Sequence, residues 1–301
     1  MDAEAMGVLP RRNSTRARPA GRHRSPDRLS VPSAAPAIVL AVPGAPCAQS
    51  AQVTDGIAST VAALCPGADV HAAYTSDGPD GLGPLLDAVM AARAGTLTEE
   101  LPYAAVVVPL RIAPQDGADA EIDRTVAAAG PAVLRTDCLG PHPLLAGGLH
   151  DRLAEAGLVA GRRISGLSLV TLEVGVLVGA VGGDRAVQAA QTAAVLLTAR
   201  LGVPVAPVAL TDPASVADGV ARLHEGGARR LAMAPYLVGP EISQDALAAA
   251  ATAAGAHCAP PLGAHAAVGQ LVTMRYGAAL LGQGTQTPPG PPRPRRLGQL
   301  A

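Results

Sequence analysis

The chain has 301 residues, 49% of them apolar but only 1% aromatic, with four Tyr, no Phe and no Trp beside 34 Gly and 28 Pro. That apolar content builds an aliphatic, small-residue core and excludes a chain disordered throughout, and the lack of a Gly-x-y period excludes a collagen-like fibre. The net charge of −1 divides unevenly: residues 1–34 carry seven Arg against Asp2, Glu4 and Asp27, residues 283–301 add Arg293, Arg295 and Arg296 without an acid, and the body is left near −8.

An acidic apolar body between basic, Pro-containing ends reads as one globular unit with disordered tails at 1–34 and 283–301. It speaks against nucleic acid as a partner of the core. All 23 basic residues are Arg, which points to codon bias. Arg11 and Arg12 ahead of the apolar stretch 35–46 resemble an export signal only superficially. They lie far upstream of it, and Pro36, Pro43 and Pro46 break the stretch. No apolar run is long enough to span a bilayer. Cys47, Cys65, Cys138 and Cys258 stand singly, with no Cys-x-x-Cys pair. A reduced, cytoplasmic protein without a membrane partner is expected.

In chain order, Ala37–Val42 is a continuous apolar run ending in Pro43-Gly44-Ala45-Pro46, the pattern of a buried parallel strand and a turn. Helix follows over Val53–Leu64, strand over Asp69–Tyr74, helix over Leu82–Ala94, strand over Ala104–Leu110, strand over Ala132–Thr136, and helix over Pro143–Ala156 with Pro in its first turn. The order then restarts. Strands are expected over Leu172–Val181, Val203–Val208 and Arg229–Pro235, and helices over Asp184–Leu201, Ala214–Glu225 and Ile242–Ala254. Strands alternating with helices predict an α/β fold with parallel sheets.

The restart is visible in the residues as well. Pro109 and Pro114 recur as Pro235 and Pro240, and Leu139-Gly140-Pro141-His142 recurs as Leu262-Gly263-Ala264-His265. His142 and His265 come 33 and 30 residues after the first proline of each pair. The reading is a tandem duplication, with lobes over 35–160 and 161–282 facing one another across a cleft. Ligands of parallel sheets bind beyond the carboxyl ends of the strands, so a ligand is expected between 43–46, 111–119, 181–185 and 237–245.

The order strand, Gly turn, helix, a strand ending in Pro-Leu, and then Leu-Gly-Pro-His-Pro-Leu-Leu at 139–145 resembles the sirohydrochlorin chelatases of the type II group, in their internally duplicated form. The runs 216–237 and 261–265 carry the same resemblance, which covers about 37–282. It implies two chelatase-like α/β lobes and insertion of Co²⁺ or Fe²⁺, as substrate, into a tetrapyrrole rich in carboxylates. No resident cofactor is assigned. The resemblance places Pro43 where the family's first catalytic His stands and Gly117 at the second; a carboxylate of some members falls near Thr75 or Ser76. Metal insertion calls for neutral imidazoles that hold the ion and accept the pyrrole protons, which Pro and Gly cannot do.

Two functions therefore stand side by side: a chelatase whose metal is handled by other groups, and a non-catalytic relative that binds a tetrapyrrole, a metal or a partner protein. Asp116 is the candidate catalytic residue of the first. Pro43, Gly44, Ala45, Arg111, Gln115, Gly117, Glu241 and Gln244 are the cleft candidates, with no metal ligand assigned. Asp116, Asp119, Glu121 and Asp123 read as a solvated loop or helix start. Arg111 either meets substrate carboxylates or sits on the surface at a strand end. His142 and His265 read as helix-entry or loop-packing residues, Cys138-x3-His142 as coincidence, and Asp184 as an N-cap after Gly182-Gly183.

Overall fold

The computed structural model describes residues 31–282 apart from 33, 100, 160–172 and 240. The expected tails and Pro240 fall outside the described residues. Eight strands and eight helices alternate among the described residues. The first half holds β1 (Ala37–Val42), α1 (Ala48–Leu64), β2 (Val70–Tyr74), α2 (Leu82–Arg93), β3 (Ala105–Pro109), α3 (Asp116–Ala129), β4 (Val133–Arg135) and α4 (Pro143–Glu155). The second holds β5 (Val174–Ala180), α5 (Gly183–Leu201), β6 (Val205–Ala209), α6 (Pro213–Glu225), β7 (Arg230–Pro235), α7 (Gln244–Ala253), β8 (Ala256–Cys258) and α8 (Ala266–Leu280). Each half is a four-stranded parallel sheet, ordered β2-β1-β3-β4 and β6-β5-β7-β8.

The two orders superimpose strand for strand, and the register agrees. Ala41 pairs with Pro109 in the first sheet as Gly179 pairs with Pro235 in the second. The residues after those prolines bond alike: Leu110 N–H donates to Ala41 O and Tyr236 N–H to Gly179 O. Leu139 and Gly140 donate to Arg111 O and Ile112 O as Leu262 and Gly263 donate to Leu237 O and Val238 O. The equivalences Pro109/Pro235, Arg111/Leu237 and Gln115/Glu241 follow from these bonds.

Alternation along the central strands decides the layers. Ile38, Leu40, Val106 and Val108 point inward with Val176, Val178, Ala232 and Ala234 into one core shared by both halves. Ala37, Val39 and Val107 face outward onto α2 and α3, and Leu177, Leu231 and Met233 onto α6 and α7. Helices α1, α4, α5 and α8 fill the space between the sheets. The two lobes therefore share their interior, and the cavities between them described below lie beyond the strand ends.

Small residues bring those inner helices close. Ala186, Ala189, Ala190, Ala193, Ala194 and Leu197 make a buried stripe on α5 at helical spacing. A Cβ on Gly269 of α8 would come within 3.0 Å of Thr60 Cβ of α1, so the crossing requires Gly. Tyr276 of α8 donates its hydroxyl to Pro36 O at 2.8 Å, tying the last helix to the entry of the first strand.

The helix starts explain most differences from the sequence reading. Helix α1 begins at Ala48, five residues earlier than expected, because Cys47 and Ser50 form a reciprocal cap. His142 and His265 are N-caps, as read, each ring Nδ1 accepting a backbone N–H at 3.2 Å from Leu144 and Ala267. Gly182, rather than Asp184, caps α5. The acidic string opens a full helix, α3, where Asp116 and Asp119 in the first turn complement the helix dipole. Among the described residues no helix is long and apolar enough to cross a membrane.

Candidate functional site

The four loops at the carboxyl ends of the central strands form two pairs. The loop after β1 meets the loop after β7, and the loop after β3 meets the loop after β5. The internal symmetry relates the two pairs, yet they differ: the first is open and the second is closed.

The open pair begins at Pro43, which ends β1 and has no N–H to continue the ladder. Gly44 turns the chain at φ +78 and donates its N–H to Thr75 Oγ1 at 3.0 Å, fixing the loop to the end of β2. Cys47 then caps α1. Its Sγ accepts the Ser50 N–H at 3.4 Å while Ser50 Oγ accepts the Cys47 N–H at 3.0 Å. The Ser50 hydroxyl, and after it the Ser50 N–H, hold the exposed Cys47 thiol below its ordinary value of 9.0.

Across the gap, the loop after β7 turns at Gly239 and returns Glu241 onto its own backbone. Glu241 accepts the Val238 N–H at 2.8 Å through Oε1 and the Gly239 N–H at 2.6 Å through Oε2. Burial pushes this carboxyl above its ordinary value, opposed by the Gly239 and Val238 N–H groups. Ser243 caps α7 by accepting the Ala246 N–H at 3.2 Å.

Between these loops lies a cavity of about 430 Å³, lined by Pro43, Gly44, Ala45, Cys47, Gln49, Ser50 and Val53 on one side and by Gly239, Ile242, Ser243, Gln244 and Asp245 on the other. The N-caps of α1 and α7 both border it, so two positive helix ends meet in one space. Helix α1 has no acid in its first turn, and α7 has Asp245. A second cavity of about 380 Å³ continues between α7 and residues 258–261, sharing Gln49, Gly239, Ile242 and Gln244 with the first.

The closed pair starts at Arg111, whose side chain is 1% exposed and faces neither solvent nor cleft. This corrects both readings of Arg111: the guanidinium is buried on Asp119, 2.6 Å from Nη2 to Oδ1, and Nη1 donates to Gln115 O at 3.4 Å. Asp119 also takes Arg135 Nη2 and, through Oδ2, the Gln115 N–H at 2.8 Å. The network stiffens the loop and aims it at the second half. There Gln115 Nε2 donates to Val181 O at 3.3 Å, and Asp116 pairs with Arg185 at 2.5 Å. Gly182, at φ +125, lets the loops touch, since a Cβ would stand 2.6 Å from Pro114 O.

The structure thus brings Pro43, Gly44, Ala45 and Gln244 to one cavity and sets Glu241 beside it. Arg111, Gln115, Asp116 and Gly117 belong to the other loop pair, with Gly117 in the first turn of α3 against open space. Cys47, Gln49, Ser50, Ser243 and Asp245 were not singled out by sequence reasoning. The Cys47-x-x-Ser50 spacing after a strand was their legible signal, hidden because thiols seldom cap helices. Among the described residues, no group of three or more His, Cys, Asp and Glu is placed to hold a metal ion.

No protein-family model matches the chain, and no curated protein matches it in sequence. Solved structures do match. The sirohydrochlorin chelatase SirB from Bacillus subtilis subspecies spizizenii, in complex with cobalt, superimposes with a TM-score of 0.60 at 14% identity, over 82% of this chain and 96% of that one. SirB from Bacillus subtilis with Fe³⁺ gives 0.59 at 15% identity, over 83% and 98%. The chain has a two-lobed chelatase-like fold.

Proposed function

We propose that this chain is a chelatase-like protein of sirohaem or cobalamin metabolism that binds a tetrapyrrole carboxylate between the β1 and β7 loops without inserting a metal. One observation carries the reading: at the strand ends, where this fold leaves its cleft, two helix N-termini border one cavity of about 430 Å³. Backbone N–H groups at such ends donate hydrogen bonds to carboxylates, and the volume lies in the range of about 300–1,000 Å³ typical of ligand sites. α1, free of acids in its first turn, is the better carboxylate-binding end of the two.

A second reading is favoured by Cys47 and Asp245, which line the same cavity. The thiolate of Cys47, whose formation the lowered pKa favours, and a carboxylate are groups able to accept a pyrrole proton or hold Co²⁺ or Fe²⁺ as substrate. The binding reading takes precedence because no imidazole lines the cavity and Pro43 ends β1.

The test titrates sirohydrochlorin against the protein, followed by absorbance, and then adds Co²⁺ beside a no-protein blank and an active chelatase. Binding predicts a saturable spectral shift and a raised Tm, with metal insertion at the blank rate. Ala45→Glu, which puts a like charge at the mouth, should weaken binding about tenfold or more. Insertion above the blank that disappears in Cys47→Ala would establish the second reading instead. No saturable shift would refute both.

A further inference from the structure

The duplication places the same turn at the end of both central strands. Gly44 and Gly182 each lie two residues past their strand, β1 and β5, at φ +78 and +125. At Gly182 a Cβ would stand 2.6 Å from Pro114 O and 2.7 Å from Gln115 Cγ, so the closed loops touch there. At Gly44 a Cβ would meet nothing within 4 Å. One turn thus has the facing loop seated on it and its symmetry mate does not.

The equivalent residues Gln115 and Glu241 behave in opposite ways. Gln115 reaches across its pair, Nε2 donating to Val181 O at 3.3 Å. Val181 is the first residue past β5 as Pro43 is the first past β1, yet among the described residues nothing donates to Pro43 O. A carboxylate at 241 cannot supply that bond, because it has no N–H and its oxygens would face the Pro43 carbonyl with charge of the same sign. Glu241 turns back instead, accepting the Val238 N–H through Oε1 and the Gly239 N–H through Oε2. Bonds to an ionised acceptor are the stronger kind, and here both oxygens are used. The other tie of the closed pair is absent too, since Ile242 follows Glu241 where Asp116, the partner of Arg185, follows Gln115.

We infer that Glu241 holds the ligand space open: as a carboxylate it bonds to its own loop and leaves the loops after β1 and β7 unjoined, whereas a carboxamide at 241 would join them through Pro43 O. Glu241 is a positioning residue, acting through the loop rather than on a ligand, and this holds whichever ligand the cavity takes. Exchanging one of its oxygens for NH₂ sets a donor against a backbone N–H, so at most one of the two return bonds survives. The freed amide then finds in Pro43 O the acceptor that Gln115 has in Val181 O. Joining would draw Ile242 and Ser243 toward Cys47 and Ser50 across the cavity of about 430 Å³. Cys47, exposed in the open pair, would be covered.

The experiment follows alkylation of Cys47 by iodoacetamide in the full chain at one fixed pH, read by mass spectrometry, in the wild type, Glu241→Gln and Glu241→Met. Glu241→Gln should slow Cys47 about fivefold or more, the weight of one net hydrogen bond. It should also melt no lower than the wild type. Met has the length of Gln and no N–H to give, so Glu241→Met should leave Cys47 at the wild-type rate or faster. The inference is overturned if Glu241→Gln leaves the rate unchanged, if Glu241→Met slows it as much, or if Glu241→Gln fails to fold, since a carboxamide would then have no bonding place at 241. No tetrapyrrole enters the measurement, so any of these results leaves the proposed function standing. Failure of the wild type to bind sirohydrochlorin would refute that function and leave the role of Glu241 untouched.

Discussion

Removing Asp119 should destabilise the protein far more than removing its partner Arg111, although both changes delete the same ion pair. Asp119→Ala leaves Arg111 1% exposed with one long contact, Nη1 to Gln115 O at 3.4 Å, and an Nε that has no partner even now. An uncompensated buried charge of this kind costs about 3–5 kcal/mol. Arg111→Met keeps the packing volume and leaves Asp119, 18% exposed, with Arg135 and the Gln115 N–H still bonded to it. Its cost should stay under about 2 kcal/mol, near that of a single charged hydrogen bond. The double variant sharpens the argument: with both charges gone, about 1 kcal/mol or more should be regained relative to Asp119→Ala alone. Urea unfolding followed by far-UV circular dichroism is the assay, since the chain has no Trp. In heating scans the Asp119→Ala loss should approach about 10 °C, at roughly 2–4 °C per kcal/mol for a fold of this size. The reasoning is refuted if the two single variants lose equal stability, or if the double variant is less stable than Asp119→Ala.

The remaining expectations concern the two loop pairs. Cys47 should react with iodoacetamide well ahead of Cys65, Cys138 and Cys258, whose thiols burial pushes up; Ser50→Ala should slow it, and bound tetrapyrrole should protect it, all read by mass spectrometry of the adducts. Glu241 titrates higher folded than unfolded, so its contribution is fully present below the unfolded carboxyl value and is lost as pH rises through the folded one; Tm measured against pH should decline less steeply in Glu241→Gln. Asp116→Ala and Arg185→Ala should each cost less than about 1 kcal/mol, because the pair is 75% and 65% exposed, and high salt should erase the difference. Gly182→Ala should cost more than that, about 1–3 kcal/mol, through strain at φ +125 and the clash with Pro114 O; thermal melts of the three variants side by side rank them.

Much of the fold can be read from composition and spacing because the information is local. Continuous aliphatic runs such as Ala37–Val42 and Ala105–Pro109 declare strands buried on both faces, and the recurring prolines and Leu-Gly-x-His motifs declare the duplication. His142 and His265 were legible as residues of a helix entry or a packed loop for the same reason, and the structure makes them N-caps. The helices α3 and α8 were not: the narrow stripe of α3, Ile122, Val126 and Ala129, follows an acidic string that reads as a loop, and α8 is apolar nearly all round. The three-residue strand β8 is too short to leave a pattern.

The site divides along a different line. Sequence alone determined which loops lie at strand ends, and so placed Pro43, Gly44, Ala45 and Gln244 at the ends of β1 and β7, where they line one cavity. Only the tertiary structure decided how those loops pair, because pairing depends on the packing of α1, α4, α5 and α8 between the sheets. That packing sets Asp116 against Arg185, withdraws Arg111 onto Asp119, and turns Cys47 toward the helix end that Ser243 caps. The first and last join residues far apart in the chain, and Arg111 and Asp119, eight apart, meet only through the turn from β3 into α3.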